Sequence, residues 1–145
     1  MTLPVKKVRP EAHLPARATQ GSAGLDLFAC IEAPEKIPAG GSALIATGIS
    51  AAIPESSVGL VFGRSGLGIK HGIVLSNSVG VIDSDYRGEI MVGLRNLSDK
   101  DYIVNPEDRI AQLVIMPVMA LIPTEVSDLD QTVRGTGGFG STGRA

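Results

Sequence analysis

Chain breakers are spread so densely along this sequence that it cannot build a long helix. Its 145 residues include 18 Gly and 9 Pro, and the longest stretch free of both is the twelve residues 94–105. An interior Gly costs a helix about 1 kcal/mol and an interior Pro about 3 kcal/mol, so helices of many turns are excluded. Between the breakers lie short runs rich in Val, Ile and Leu. In 89–95 the apolar Ile90, Val92 and Leu94 alternate with Glu89, Gly93 and Arg95, the period of a half-buried strand. The run 110–116 is more continuously apolar and reads as a strand covered on both faces. Residues 44–49, 51–53 and 58–62 read as further strands, separated by Gly or Pro. Many short strands at close spacing predict an all-β chain, a jelly-roll-like β-sandwich or barrel with one short helix and a flexible C-terminal tail. The expected division is a domain over 1–133 and a Gly-rich tail over 134–145.

Composition narrows the partners. Hydrophobic residues make up 43% of the chain and charged ones 19%, enough for a packed core. A net charge of −2 gives no electrostatic case for long nucleic acid, although a few local arginines suffice for a small anion. Cys30 stands alone, which excludes a disulfide framework and a cysteine-based zinc site. Residues 1–12 carry charges but no apolar core of a signal peptide, and no run approaches a membrane span. A soluble, cytoplasmic protein is the expectation.

Three segments carry possible chemistry. The tail holds five glycines with Arg134, Phe139, Ser141 and Thr142. Its glycines let backbone N–H groups approach a phosphate, its arginine and hydroxyls add donors, and Phe139 can stack on a planar ring. The competing reading is a frayed terminus. The spacing Gly135, Gly137, Gly140 mimics a dinucleotide fingerprint, but the chain ends before any helix could follow. Next, Ser65 is placed to cap a short helix over 66–71, beside Arg64. This is either an anion site or a plain surface turn. Finally, Gly80-Val81-Ile82-Asp83-Ser84-Asp85-Tyr86-Arg87-Gly88 reads as a hairpin presenting two carboxylates, a tyrosine and an arginine. An Asp-Ser-Asp turn of that kind can also serve only its own backbone.

Taken together, these segments resemble the homotrimeric dUTP diphosphatases (dUTPases). The first family motif is similar to Ala23-Gly24-Leu25-Asp26-Leu27. The second is similar to Gly63-Arg64-Ser65-Gly66-Leu67 followed by Lys70-His71-Gly72-Ile73. The third is the 80–88 stretch with Asn77 just upstream. The fourth is Arg109-Ile110-Ala111-Gln112-Leu113, and the fifth is the tail from Arg134 to Gly143. All five stand in order.

The resemblance implies Mg²⁺-dependent hydrolysis of dUTP to dUMP and pyrophosphate. Asp83 would be the general base that activates water against the α-phosphorus. Asn77 and the backbone of Val81, Ile82 and Asp83 would read uracil. Tyr86 would lie under the deoxyribose and exclude a 2′-hydroxyl, with Met91 closing the sugar pocket. Arg64, Ser65, Gly66 and Gln112 would hold the α- and β-phosphates. Arg134, Ser141 and Thr142 would bind the γ-phosphate, while Phe139, beside Gly140, stacks on the base. Mg²⁺ would ride mainly on substrate phosphates. Asp26 would reach it through water, or else anchor a turn or an intersubunit arginine. The implied assembly is a trimer whose sites are shared between subunits, with 119–133 long enough to carry the tail to a neighbour.

Two rivals stay open at this point. One is a dCTP deaminase-like enzyme, which needs a glutamate base where the central stretch acts. The other is a catalytically silent nucleotide-binding trimer. Gly63 departs from the proline common before the motif-two arginine, and puts the placement of the phosphates in question. His71 reads as a helix-end cation, His13 lacks any companion at ligand spacing, and Cys30 reads as a small core residue.

Overall fold

The computed structural model describes residues 2–138. Eleven short strands and one helix follow each other: β1 (Val5–Lys7), β2 (Leu25–Phe28), β3 (Glu35–Ile37), β4 (Ser42–Ala46), β5 (Ile49–Ala51), β6 (Ser57–Phe62), α1 (Ser65–His71), β7 (Ile73–Leu75), β8 (Gly80–Ile82), β9 (Met91–Asn96), β10 (Tyr102–Val104) and β11 (Arg109–Pro117). Every pairing is antiparallel. One sheet runs β2-β11-β6-β8, a second runs β4-β9-β7, and the pairs β1-β5 and β10-β3 complete the sandwich. This is the jelly-roll-like all-β fold that the breaker spacing predicts.

Alternation sets the core. In β9, Val92, Leu94 and Asn96 are buried while Met91 and Arg95 face out. Leu94 lies opposite Ala43 on one side and Leu75 on the other, and Val92 opposite Ile45. From the other sheet, Leu27, Val61, Ile110, Ala111 and Leu113 join the same buried cluster. Burying each large aliphatic side chain contributes about 1.5–3 kcal/mol. β11 is covered on both faces only through its first half, Ile110 to Leu113. Buried Asn96 has every polar atom engaged. Its Nδ2 donates to the carbonyls of Ile37 (3.1 Å) and Lys100 (2.7 Å), and its Oδ1 accepts from the Ser98 amide (2.9 Å).

Local details depart from the sequence reading elsewhere too, and the strand expected over 51–53 lies instead at Ile49–Ala51. The strand expected over 44–49 is cut in two, because Gly48 takes φ 69° between β4 and β5. The helix begins at Ser65, with Arg64 extended at the capping position and no side-chain cap; Ser65 is therefore its first residue and not its cap. The 80–88 stretch is no hairpin of paired strands. β8 pairs with β6, whereas β9 pairs with β4 and β7, so the turn carries the chain from one sheet to the other.

His71 ends α1 with its ring 5.3 Å from that of Tyr102, and Cys30 packs in the core. Beyond Pro117 the described chain continues without strands, and Met119, Leu121, Ile122 and Leu129 stand exposed along it.

Candidate active site

Two cavities collect most of the residues singled out above, at different corners of the four-stranded sheet. The first, of ≈ 210 Å³, is walled by Asp26, Arg64, Ser65, Gly66 and Gln112, with Ala18, Ser22 and Gly24 along its rim. Its geometry depends on a bulge in β11. Residues 109 and 112 are three apart and would face opposite ways in a regular strand. The register slips between Arg109 and Ala111, so that Arg109 stands opposite Phe28 while Gln112 stands opposite Asp26. The extra residue brings Arg109 and Gln112 to the face that carries Asp26.

On that face Asp26, its side chain 13% exposed, is held by two arginines. Arg64 Nε donates to Oδ1 at 3.1 Å and Arg109 Nη1 to Oδ2 at 3.2 Å. Arg64 Nη1 also donates to the Arg109 carbonyl at 3.2 Å. One carboxylate thus orients two guanidinium groups, and the trio keeps one net positive charge for an anion. Gln112 Nε2 donates to the Gly63 carbonyl at 3.0 Å. A Cβ on Gly24 would stand 2.6 Å from Gln112 Oε1 and would push that amide aside, whereas a Cβ on Gly63 would meet open space. The departure from proline at Gly63 therefore leaves the hold on Gln112 intact, because that hold uses only a carbonyl. The Arg64 carbonyl accepts from the amides of Leu67 and Gly68, which leaves those of Ser65 and Gly66 ahead of the first helical bonds.

The second cavity, of ≈ 200 Å³, is lined by Val81, Ile82, Asp83, Tyr86, Glu89, Ile90 and Met91. Asp83 is exposed at the mouth of the turn, and its carbonyl accepts from the Tyr86 amide at 3.2 Å. Tyr86 Oη donates to the Glu89 carbonyl at 3.0 Å, which folds the ring back over Gly88. A Cβ on Gly88 would lie 2.3 Å from that oxygen. Arg87 turns away and caps its own turn through the carbonyls of Ser84 and Tyr86. The Glu89 carboxyl is held below its ordinary value of 4.5, chiefly by the Arg9 hydrogen bond, against the opposing effect of burial and with help from the Gly48 amide.

Other expected residues stand apart. Asn77 occupies the exposed turn before β8, at the end remote from Asp83. Arg134 donates to the Gly137 carbonyl in its own segment and lines neither cavity. Phe139, Gly140, Ser141 and Thr142 lie outside the described residues. Sequence reasoning missed Glu89 as a wall of the second cavity and Arg109 as a brace of the first. Nothing in the sequence announces a β-bulge. Among the described residues no three His, Cys, Asp or Glu side chains gather for a metal, and both Asp26 oxygens already accept from arginines. That donor set fits a cation carried by phosphate oxygens rather than one caged by protein.

The cavities are far apart within one chain. Asp83 follows Ile82, which faces Gly59, whereas Asp26 lies three strands away at the level of Phe62. Strand spacing and rise put the two groups on the order of 20 Å apart.

A jelly-roll chain with an arginine-lined anion cavity and a separate carboxylate–tyrosine cavity has the makings of a nucleotide hydrolase. The dUTPase family model matches residues 10–143. The deoxyuridine 5′-triphosphate nucleotidohydrolase of Burkholderia multivorans is 48% identical over 145 residues, 99% of this chain and 98% of that protein. The enzyme of the same name from Herminiimonas arsenicoxydans is 49% identical, with the same coverage. Among solved structures, a variant of the Staphylococcus bacteriophage 80alpha dUTPase with dUpNHpp superposes with TM-score 0.90, at 28% identity and 99% coverage of both chains. A variant of the dUTPase from phage phi11 of S. aureus, described with a structural Mg(II) ion, gives 0.82 at 25% identity, covering 90% of this chain and 100% of the other.

The chain belongs to the dUTPase family. It is an enzyme that hydrolyses dUTP to dUMP and pyrophosphate, and the deaminase and silent-binder alternatives fall away.

Proposed function

We propose that each dUTP-hydrolysing site is built from more than one copy of this chain, with the second cavity of one copy facing the first cavity of another. The separation of about 20 Å between Asp83 and Asp26 carries this reading. A general base acts through a water within about 3 Å, and that water stands about 3–3.5 Å from the atom it attacks. Asp83 and the arginine face of one chain cannot serve the same α-phosphate at such a distance. The exposed apolar residues of 118–138 support the same reading, since they give the arm a surface to lay on a neighbour. In keeping with the family resemblance, we take the assembly to be a homotrimer, in which the segment from Arg134 onward would close over the site as a separate functional unit.

In this reading Asp83 accepts a proton from the attacking water, the new P–O bond forms at the α-phosphorus, and pyrophosphate leaves with the bridging oxygen. The oriented guanidinium of Arg64, the amides of Ser65 and Gly66 and the side chain of Gln112 hold the α- and β-phosphates. Tyr86 and Met91 enclose the deoxyribose, while Asn77 and the backbone of 81–83 read the uracil. Arg134, Ser141 and Thr142 take the γ-phosphate, and Phe139, next to Gly140, covers the base. Mg²⁺, when bound with the triphosphate, neutralises its charge, and Asp26 would reach that ion only through water. Action on the nucleotide pool implies a cytoplasmic location. Among the described residues no helix is long and apolar enough to cross a membrane.

Subunit mixing tests the shared site. Asp83→Asn and Arg64→Ala chains, each inactive alone, should regain part of the turnover when exchanged into mixed assemblies. A chain carrying both changes should not rescue either one. Mixed assemblies demonstrated by differential tags but lacking any turnover would mean that each chain holds a complete site.

A further inference from the structure

We propose that Arg9 and Glu89 are positioning residues for the nucleoside cavity, holding Tyr86 where it separates deoxyribose from ribose. The proposal rests on the reading of Tyr86 given above. Glu89 works at both ends. Its carbonyl accepts the Tyr86 hydroxyl at 3.0 Å, and its carboxylate accepts two parallel bonds from Arg9, Nε at 2.9 Å and Nη2 at 3.1 Å. Those partners are 80 residues apart in sequence. The same carboxylate takes the Gly48 amide at 2.9 Å.

Gly48 is a hub. Its carbonyl accepts from the amides of Val8 (2.8 Å) and Arg9 (3.3 Å), and a Cβ there would lie 2.6 Å from Ala12 Cβ and 2.7 Å from Cys30 Sγ. Arg9 and Glu89 are therefore fastened to one closely packed turn. The next residue, Ile90, is fastened to that turn as well. Its amide donates to the Ile49 carbonyl at 2.8 Å, and its own carbonyl accepts Thr47 Oγ1 at 2.6 Å.

A partly exposed ion pair adds little to stability. Two parallel bonds and a backbone donor on one carboxylate fix direction instead. Because Glu89 lines the cavity and its carbonyl carries the tyrosine hydroxyl, anchoring its carboxylate fixes the residue on which that hydroxyl rests. A displacement of about 1 Å at such a wall is enough to change turnover substantially.

The experiment compares R9M, E89Q and R9K with D101N, which breaks the Lys36–Asp101 pair away from both cavities. Specificity is read as the ratio of kcat/KM for dUTP to that for UTP, alongside Tm and calorimetric binding of dUMP and UMP. We expect R9M and E89Q to lose about ten-fold in specificity, chiefly through KM. R9K should fall between them and wild type, and D101N should match wild type in specificity. Specificity within two-fold of wild type in both R9M and E89Q, with Tm lowered as in D101N, would overturn the proposal by making the pair merely structural. The nucleotide-binding arm separates this from failure of the functional reading. A wild-type chain inert toward dUTP would sink that reading, yet loss of dUMP preference in R9M and E89Q would still support positioning. A wild-type chain that binds dUMP and UMP equally overturns the proposal.

Discussion

The two cavities are held in shape by different forces. The anion cavity is set by charge: one carboxylate, Asp26, aims two arginines, and the bulge in β11 delivers the second of them. The nucleoside cavity is set by close backbone approach: Tyr86 folds over Gly88 onto a carbonyl, and Gly48 locks the turn behind it. A charged brace tolerates small shifts, because long side chains can follow their partner. A steric seat does not, since a single methyl at Gly88 takes the space that the tyrosine ring occupies. Changes of charge should therefore grade the first cavity, whereas changes of shape should switch the second.

Substitutions can break or sharpen this contrast. The largest effect belongs to the chemistry itself. Asp83→Asn should reduce kcat about 10³-fold with nucleotide binding retained, as stopped-flow and calorimetry would show. Gly88→Ala comes next. With a Cβ at 2.3 Å from the Tyr86 hydroxyl, the ring must leave its seat. We expect a loss of about 10²-fold in kcat/KM for dUTP and reduced rejection of UTP. An unchanged rate would show that the tyrosine position in the free chain does not matter.

Asp26→Asn should be milder, about ten-fold and mainly in KM, because each guanidinium keeps one neutral partner or none while its own charge survives. A collapse as deep as that of Gly88→Ala would erase the distinction drawn between the two cavities.

The smallest effect is a pH dependence. Because the folded Glu89 carboxyl lies below 4.5, its pairing contributes stability above pH 4.5 and loses it as pH falls through the depressed value. The Tm gap between wild type and Glu89→Gln should hold steady from neutral pH down to about 4.5, then narrow as the pH falls further. A gap that stays constant across that range would place the stabilisation outside the carboxylate.

Much of the fold was legible because alternation and breakers are local. Ile90, Val92 and Leu94 declare their buried face without help, and Val58 to Phe62 fall within the observed β6. The strand read through Thr47 failed because a positive φ at a single glycine is invisible in a string of apolar residues. The supposed hairpin at 80–88 failed for a related reason. A turn between two strands looks the same whether they pair with each other or with different sheets. Arg64, Gln112, Asp83 and Tyr86 were singled out from their motifs as candidates, and the structure divides them between two cavities. Glu89 carried only an alternation signal, and Arg109 was quoted in a motif without a role.

By itself, then, the sequence determined an all-β chain, the absence of long helices, and the inventory of acids, arginines and glycines proposed to handle a nucleotide. Those are consequences of period, propensity and residue chemistry, each readable within a few positions. Only tertiary structure decided which of these groups meet. Asp26 meets Arg64 and Arg109 across gaps of 38 and 83 residues, and Arg9 meets Glu89 across 80. The meeting of Asp26 with Arg109 is set by strand register and by one bulge, and a shift of one residue in either would turn these two side chains to opposite faces of the sheet. Arg64, Arg9 and Glu89 stand outside the strands and are placed by the loops that join them.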